Sequence, residues 1–251
     1  MIAFQLPDGV PVYVFSLLMG LGVMAGLAWI AYQAREKEIL SRMNFGLWIV
    51  LGGLIGARAA YAGVHWGYFR THFNQVWQVF LGGLSWPGAL AGASLTLILV
   101  AALTQKPLGT LADALLPLLW TVSISAWLGC WVDGCAYGIP VHTWWGIPGR
   151  DEWGAFSGRV PVQLIGAVLT VAIFWLVDWN RSRLRVPGQA ASLGLLALSL
   201  QLFGLSFLRA DPAPVWQGLR LDSWAALFFS IAAAFFLLLL SRKPVSNLSE
   251  I

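Results

Sequence analysis

Arg58 stands within the apolar run Gly56-Ala57-Arg58-Ala59-Ala60-Tyr61. A lone arginine at the centre of a membrane helix costs about 2.5–3.5 kcal/mol on insertion scales, so such a residue faces a protein interior or water. Its guanidinium is a rigid fork of donors suited to a phosphate or a carboxylate, and its small neighbours leave room for a ligand. Its long stem also allows it to snorkel to an interface. Cys130 and Cys135 are five residues apart. In an oxidising compartment they can bridge, and otherwise they serve as small buried hydrophobes. A nucleophilic role would need a basic neighbour to lower the thiol pKa, and none adjoins either cysteine in sequence. Two cysteines make neither a disulfide scaffold nor a structural zinc site. His65, His72 and His142 titrate in the useful range. Gln163 and Gln201 lie within or near apolar runs and are expected to hydrogen-bond between helices, whereas Asp113 and Asp178 fall near run ends and suit capping.

These residues must be held by something, and composition says what. Of 251 residues, 59% are apolar and 10% charged, against about 25% charged in a soluble domain. Soluble, disordered and fibrous classes are excluded. Crossing a hydrocarbon core takes about 20 helical residues. Seven stretches qualify, near Val12 to Tyr32, Phe45 to Val64, Leu84 to Leu103, Leu108 to Leu128, Pro161 to Trp179, Ala190 to Leu208 and Ser223 to Leu240. The first has no basic region before it and reads as a retained helix, not a signal peptide. The expected fold is an all-α membrane protein, a seven-helix bundle forming a single integral-membrane domain over residues 1–251.

Orientation follows from the basic residues, which concentrate in cytoplasmic loops. Arg35, Lys37, Arg42, Lys106, Arg181, Arg183, Arg185, Arg242 and Lys243 fall on one side, and Arg70, Arg150, Arg159, Arg209 and Arg220 on the other. The bias predicts an N-terminus outside and a C-terminus in the cytoplasm. The net charge of +4 thus reports topology and points to no nucleic-acid partner. Two outer segments are long, Trp66 to Gly83 and Cys130 to Val160, and long ordered loops tend to carry function. The shorter has aromatics at helical intervals and reads as an interfacial helix. Trp131, Trp144, Trp145 and Trp153 in the longer suit an aromatic belt. Gly22 with Gly26, and Gly52 with Gly56, have the spacing of close helix contacts.

Six fragments then carry a resemblance. Gly56-Ala57-Arg58, Gly82-Gly83-Leu84-Ser85 with Gly88, Asp113-Ala114-Leu115-Leu116-Pro117, Gly129 with Gly134 and Tyr137-Gly138, Arg159-Val160-Pro161-Val162-Gln163-Leu164, and Phe207-Leu208-Arg209-Ala210-Asp211 occur in the order and approximate spacing of the prolipoprotein diacylglyceryl transferase family. The resemblance covers about Val12 to Leu240. It implies a multi-pass plasma-membrane enzyme that moves diacylglyceryl from phosphatidylglycerol to the thiol of a lipobox cysteine, releasing glycerol-1-phosphate. Such chemistry needs a group to deprotonate the thiol and cations for the departing phosphate. It implies no cofactor and no metal. The partners implied are an anionic phospholipid, a lipoprotein precursor and the membrane.

Residue by residue the sequence departs from the family. Pro87 stands where the family has its histidine, Trp127 and Cys130 where it has an arginine and an asparagine, and Cys135 where it has a glutamate. Leu202 and Ser206 align with a family arginine and glutamate, and Phe15 with a tyrosine. Arg58, Arg159, Arg209, Gln163 and Gly138 remain as lipid-binding candidates, with Asp133, Cys130 and Cys135 behind them. None of the three histidines matches a family motif. Three readings follow: a transferase with rearranged catalytic groups, a non-catalytic relative that binds phospholipid or a lipoprotein precursor, and a small-solute channel or transporter. The last would ordinarily show internal repeats or intramembrane acids along a path, which are not evident.

Overall fold

The computed structural model of the protein describes residues 2–5, 11–79, 82–150 and 153–242. Lys243 of the charge count, residues 80–81 and 151–152 of the two long loops and the Arg150 side chain lie outside the description. Seven described helices are long and apolar enough to cross a membrane, as the hydropathy of the sequence predicts. They are α1 (Val14–Gln33), α2 (Ile39–Val64), α4 (Trp86–Thr104), α5 (Leu108–Asp133), α6 (Val162–Trp179), α7 (Gln189–Ser206) and α8 (Leu221–Ser241), with α3 (Trp66–Phe69) a single turn. Three two-stranded antiparallel hairpins punctuate them: β1 (Ile2–Gln5) with β2 (Pro11–Tyr13), β3 (Ile147–Arg150) with β4 (Phe156–Arg159), and β5 (Val215–Trp216) with β6 (Leu219–Arg220). The chain divides into two compact units, Ile30–Leu115, and Met1–Trp29 with Leu116–Ile251.

In the first unit α2 packs on α4 through glycines. A Cβ on Gly56 would press on the Gly88 carbonyl and on Gly92, and one on Gly92 would press on the Gly52 carbonyl. Gly52 and Gly56 were legible as a contact stripe. Their counterpart, Gly88 and Gly92 on α4, was not. Hydrocarbon supplies no hydrophobic drive for helix association, so close backbone approach and its dispersion contacts carry this interface. Elsewhere Leu47, Trp48, Ile55, Leu95, Ile98 and Leu99 are exposed, as lipid-facing side chains are. Gly92→Ala should therefore cost about 1–3 kcal/mol through overpacking. Gly20→Ala on α1, where a Cβ meets nothing within 4 Å, should be neutral or stabilising. Thermal unfolding in detergent compares the two, and equal melting temperatures would rule out the close crossing.

In the second unit Gly22 and Gly26 of α1 lie against Thr121, Ser125 and Leu118 of α5. Gln201 on α7 donates to the Gly166 carbonyl at 2.7 Å and bonds the Thr170 hydroxyl at 3.0 Å, both on α6. This is the interhelical role expected of it. Helix α5 runs five residues past its expected end at Leu128 and stops where Gly134 adopts φ +75°, a left-handed conformation open to glycine at a helix C-terminus. Before α8, Gln217 and Gly218 both have positive φ, which gives the tight hairpin turn that joins β5 to β6.

The segment from Trp66 to Gly83 is not one interfacial helix. It contains α3, then a 3-10 turn over Phe73–Trp77. The reason lies in its carbonyls, several of which serve a side chain.

Candidate functional site

That side chain is Arg58. Its Nε donates to the Val76 carbonyl at 2.7 Å, Nη1 to Gly82 at 2.6 Å and Gly83 at 3.1 Å, and Nη2 to Gln75 at 2.5 Å and Gln78 at 3.3 Å. A guanidinium has five N–H donors, and here all five have carbonyl acceptors. Gly82 and Gly83 have φ of +86° and +76°, and these left-handed conformations turn both carbonyls toward Nη1. The guanidinium also lies 5.2 Å from the Phe69 ring centroid and 5.8 Å from that of Tyr61, within cation–π range. The fragments Gly56-Ala57-Arg58 and Gly82-Gly83 are thus two sides of one structure, a loop held over the C-terminal part of α2.

In the other compact unit the structure brings Gly138, Arg159, Gln163 and Arg209 together around one extended segment, Tyr137 to Val141. On one side Ala210 N–H donates to Tyr137 at 2.8 Å and Ile139 N–H to Leu208 at 2.9 Å. On the other, Val160 N–H donates to Ile139 at 3.0 Å and Val141 N–H to Gly158 at 2.7 Å. Gly138 bridges to Arg209 and Pro140 to Arg159 in antiparallel fashion. A Cβ on Gly138 would collide with the Val160 carbonyl, so the segment can be laid this close only with glycine there. The Arg159 guanidinium is buried, lies 4.8 Å from the Tyr137 ring centroid and donates to the Gly138 carbonyl at 3.3 Å. Gln163, the second residue of α6, donates to the Cys135 carbonyl at 2.8 Å. Cys130 and Cys135 form a disulfide, so neither presents a thiol in this form. Asp133 is the last residue of α5, between them.

Arg209 belongs to a closed square of charges. It makes a bidentate pair with Asp211 at 2.8 and 2.6 Å and reaches Asp222 at 2.9 Å. Arg220 bonds Asp222 and Asp211, each at 3.1 Å, and the Asp211 carbonyl at 2.7 Å. Burial on its own would lower the Arg209 pKa. The Asp211 hydrogen bond and the charges of Asp211 and Asp222 more than offset it and raise the pKa above the ordinary arginine value, so this guanidinium stays charged. Arg220, Asp211 and Asp222 were not singled out from sequence as partners. The signal was present as a repeated Arg-x-Asp, Arg209-Ala210-Asp211 and Arg220-Leu221-Asp222.

The positions at which the sequence departs from its resemblance fall into packing. Trp127 is buried against Gly166 of α6, within one apolar cluster that includes Val160, Val162 and Leu205. Leu202 and Cys130 pack on that same cluster. Two positions where an arginine was expected therefore meet in hydrocarbon surroundings. The buried Ser206 accepts from the Ser223 hydroxyl at 2.9 Å and donates to the Phe203 carbonyl at 2.6 Å. Phe15 lies on Gly129. In the other unit Pro87 occupies the first turn of α4, where a missing N–H costs nothing. His72 is stacked on Tyr68 at 4.4 Å between centroids, His65 is packed on Tyr61 at 4.2 Å, and His142 is exposed. Among the described residues no three His, Cys, Asp or Glu side chains converge as a metal site.

Seven apolar helices long enough to cross a membrane, with Arg58 and Arg159 buried, define a multi-pass membrane protein. The family model for prolipoprotein diacylglyceryl transferase matches residues 1–239, and the chain belongs to that family. It is similar to the phosphatidylglycerol–prolipoprotein diacylglyceryl transferase of Thermosynechococcus vestitus, 26% identical over 208 residues, 78% of this chain and 77% of the relative. It is also similar to transferase 1 of that name from Streptomyces coelicolor, 27% identical over 244 residues, 92% and 69% of the respective chains. A Bacillus licheniformis relative of that name is 35% identical over 119 residues, 46% and 43%. Multi-pass insertion in the plasma membrane follows from the seven helices and the family.

Proposed function

We propose that the protein acts in lipoprotein maturation, transferring diacylglyceryl from phosphatidylglycerol to a lipobox cysteine, with its N-terminus outside and its C-terminus cytoplasmic. The lipobox thiol loses its proton, the sulfur bonds to the diacylglyceryl carbon, and the carbon–oxygen bond to glycerol-1-phosphate breaks. The observation that carries this reading is the convergence of Gly138, Arg159, Gln163 and Arg209 on one loop segment in a chain matched to the family almost end to end. Arg159 is the proposed headgroup contact. Arg209, neutralised by two carboxylates, is a positioning residue that holds the segment bearing Gly138.

A second reading has its own support. Trp127 and Leu202 share an apolar cluster where the family resemblance implies two cations, and this favours a relative that binds phospholipid or a lipoprotein precursor without turnover. One experiment separates the two. Purified protein in phosphatidylglycerol vesicles is given a lipobox peptide, and a family member with the implied His and Arg residues is run beside it. The transferase reading expects glycerol-1-phosphate release and a matching gain in peptide mass. Peptide or lipid retention with neither product, under conditions where the comparison enzyme turns over, overturns it in favour of the binder.

A further inference from the structure

The other end of the α2–α4 pair carries an apolar groove. A groove of about 350 Å³ runs between the two helices, walled by Phe45, Trp48, Thr96, Leu99, Val100 and Leu103. It begins at Thr96, one turn beyond Gly92, where the facing residues change from glycine to large side chains. Both helices are membrane spans, so the groove opens to hydrocarbon, and its size is within the range of small-molecule sites. The Thr104 hydroxyl at its far end is occupied by the Val100 carbonyl at 2.6 Å. The walls therefore offer an acyl chain little but carbon.

A cation stands at that far end. Gln105 takes a left-handed conformation, φ +54°, uncommon outside glycine, and donates to the Ala102 carbonyl at 2.7 Å. The chain so turned carries Lys106 back over α2. Its Nζ lies 5.0 Å from the ring centroid of Phe45, itself a groove wall, and 3.5 Å from the Ser41 hydroxyl. No carboxylate among the described residues forms an ion pair with Lys106, whereas Arg42, next to Ser41 in sequence, is paired to Glu38 at 2.6 Å. An ammonium is a compact charge with three donors, and here its contacts are a ring and a hydroxyl, with no paired carboxylate among the described residues.

We propose that this groove binds one anionic phospholipid, an acyl chain between α2 and α4 and the phosphate on the Lys106 ammonium and Ser41 hydroxyl. Phe45 and Arg58 are thirteen residues apart on α2, about 20 Å of helical rise. The site therefore lies in the leaflet opposite the loop that Arg58 holds, and it stands whether or not the protein transfers diacylglyceryl. The uncompensated charge selects anionic over zwitterionic headgroups, and the groove selects a lipid over a free phosphate.

The full-length protein is delipidated in neutral detergent and incubated with phosphatidylglycerol or phosphatidylcholine bearing a photoreactive acyl chain, and crosslinks are mapped by peptide mass spectrometry. Phosphatidylglycerol should label the Phe45–Trp48 and Thr96–Leu103 peptides about fivefold more than phosphatidylcholine, the factor that one lysine near an anionic headgroup contributes. Lys106→Gln, an exposed change that leaves the helices intact, should bring the two lipids level in these peptides and leave labelling elsewhere unchanged. Val100→Trp, which fills the groove, should remove both signals. Equal labelling by the two lipids in the unmodified protein, or groove labelling indifferent to Lys106→Gln, overturns the proposal.

Discussion

Arg58→Met should destabilise the protein by on the order of 3–5 kcal/mol and open the loop between α3 and α4 to protease. Five carbonyls, those of Gln75, Val76, Gln78, Gly82 and Gly83, lose their donors at once. Each hydrogen bond to a charged group contributes about 1.5–3 kcal/mol, and the simple sum overstates the loss because an opened loop regains water on its carbonyls. Arg58→Lys tests geometry against charge. A point ammonium has three donors and cannot span acceptors on both flanks of the loop, so lysine should recover less than half of the difference. The readouts are the melting temperature in detergent and tryptic cleavage after Arg70, which is exposed. If the lysine variant melts with the parent and resists trypsin equally, the five-carbonyl account is wrong.

The same residue shows how far sequence carries. That the Arg58 charge would avoid hydrocarbon, by facing the interior or by snorkelling to the interface, was readable from its cost there. What it faces was not, because its acceptors are backbone carbonyls, which have the same identity at every position. Only the glycine pair at 82–83 hinted that a backbone would come close. The seven spans were legible, since apolar length is a local property, and hydropathy located each to within a few residues apart from the start of α2 and the end of α5. The β hairpins were not legible. Two to four residues of pairing leave little periodic signal, and β3 with β4 gains its place from the Tyr137–Val141 segment laid beside it. The disulfide was one of two open alternatives for Cys130 and Cys135, decided by the turn at Gly134 that brings the chain back on itself. Gly88 and Gly92 share the spacing of Gly52 and Gly56, yet a stripe of small residues states only that something approaches, and its partner is fixed by tertiary packing.

Trp127 and Leu202 were legible one at a time, each as an apolar residue in a place where a cation is implied. Their meeting in one cluster carries more than either alone. An isolated loss of a charge would leave a cavity or an orphaned partner. Here the indole fills the space against Gly166, and Leu202 packs on the same cluster. Trp127 is buried among apolar side chains, so returning one arginine to position 127 would bury a charge against carbons.

Asp211→Asn should cost about 2 kcal/mol and loosen the Tyr137–Val141 segment. The magnitude follows from where the square of charges sits. Exposed ion pairs contribute roughly 0–1 kcal/mol, and breaking a fully buried pair costs about 3–5 kcal/mol. The four side chains retain 14–15% of their exposure, which sets the expected value between those limits. Asparagine keeps the shape and one acceptor oxygen but leaves Asp222 alone to balance Arg209 and Arg220. Since Arg209 stays charged under all ordinary conditions, it cannot relieve the imbalance by giving up its proton. Relief must come from movement, and the nearest backbone tied to it is the bridge between Arg209 and Gly138. Amide exchange at Ile139 and Ala210, whose N–H groups bond Leu208 and Tyr137, should therefore quicken in the variant, while the helical backbone amides of Thr170 in α6 and Gln201 in α7 stay protected. Because Asp211 and Asp222 share both arginines, the double Asn variant should differ from the sum of the singles by more than the roughly 0.5 kcal/mol that independent sites show. Additive losses with unchanged exchange at Ile139 would mean that the square stabilises only itself, and Arg209 would lose its positioning role.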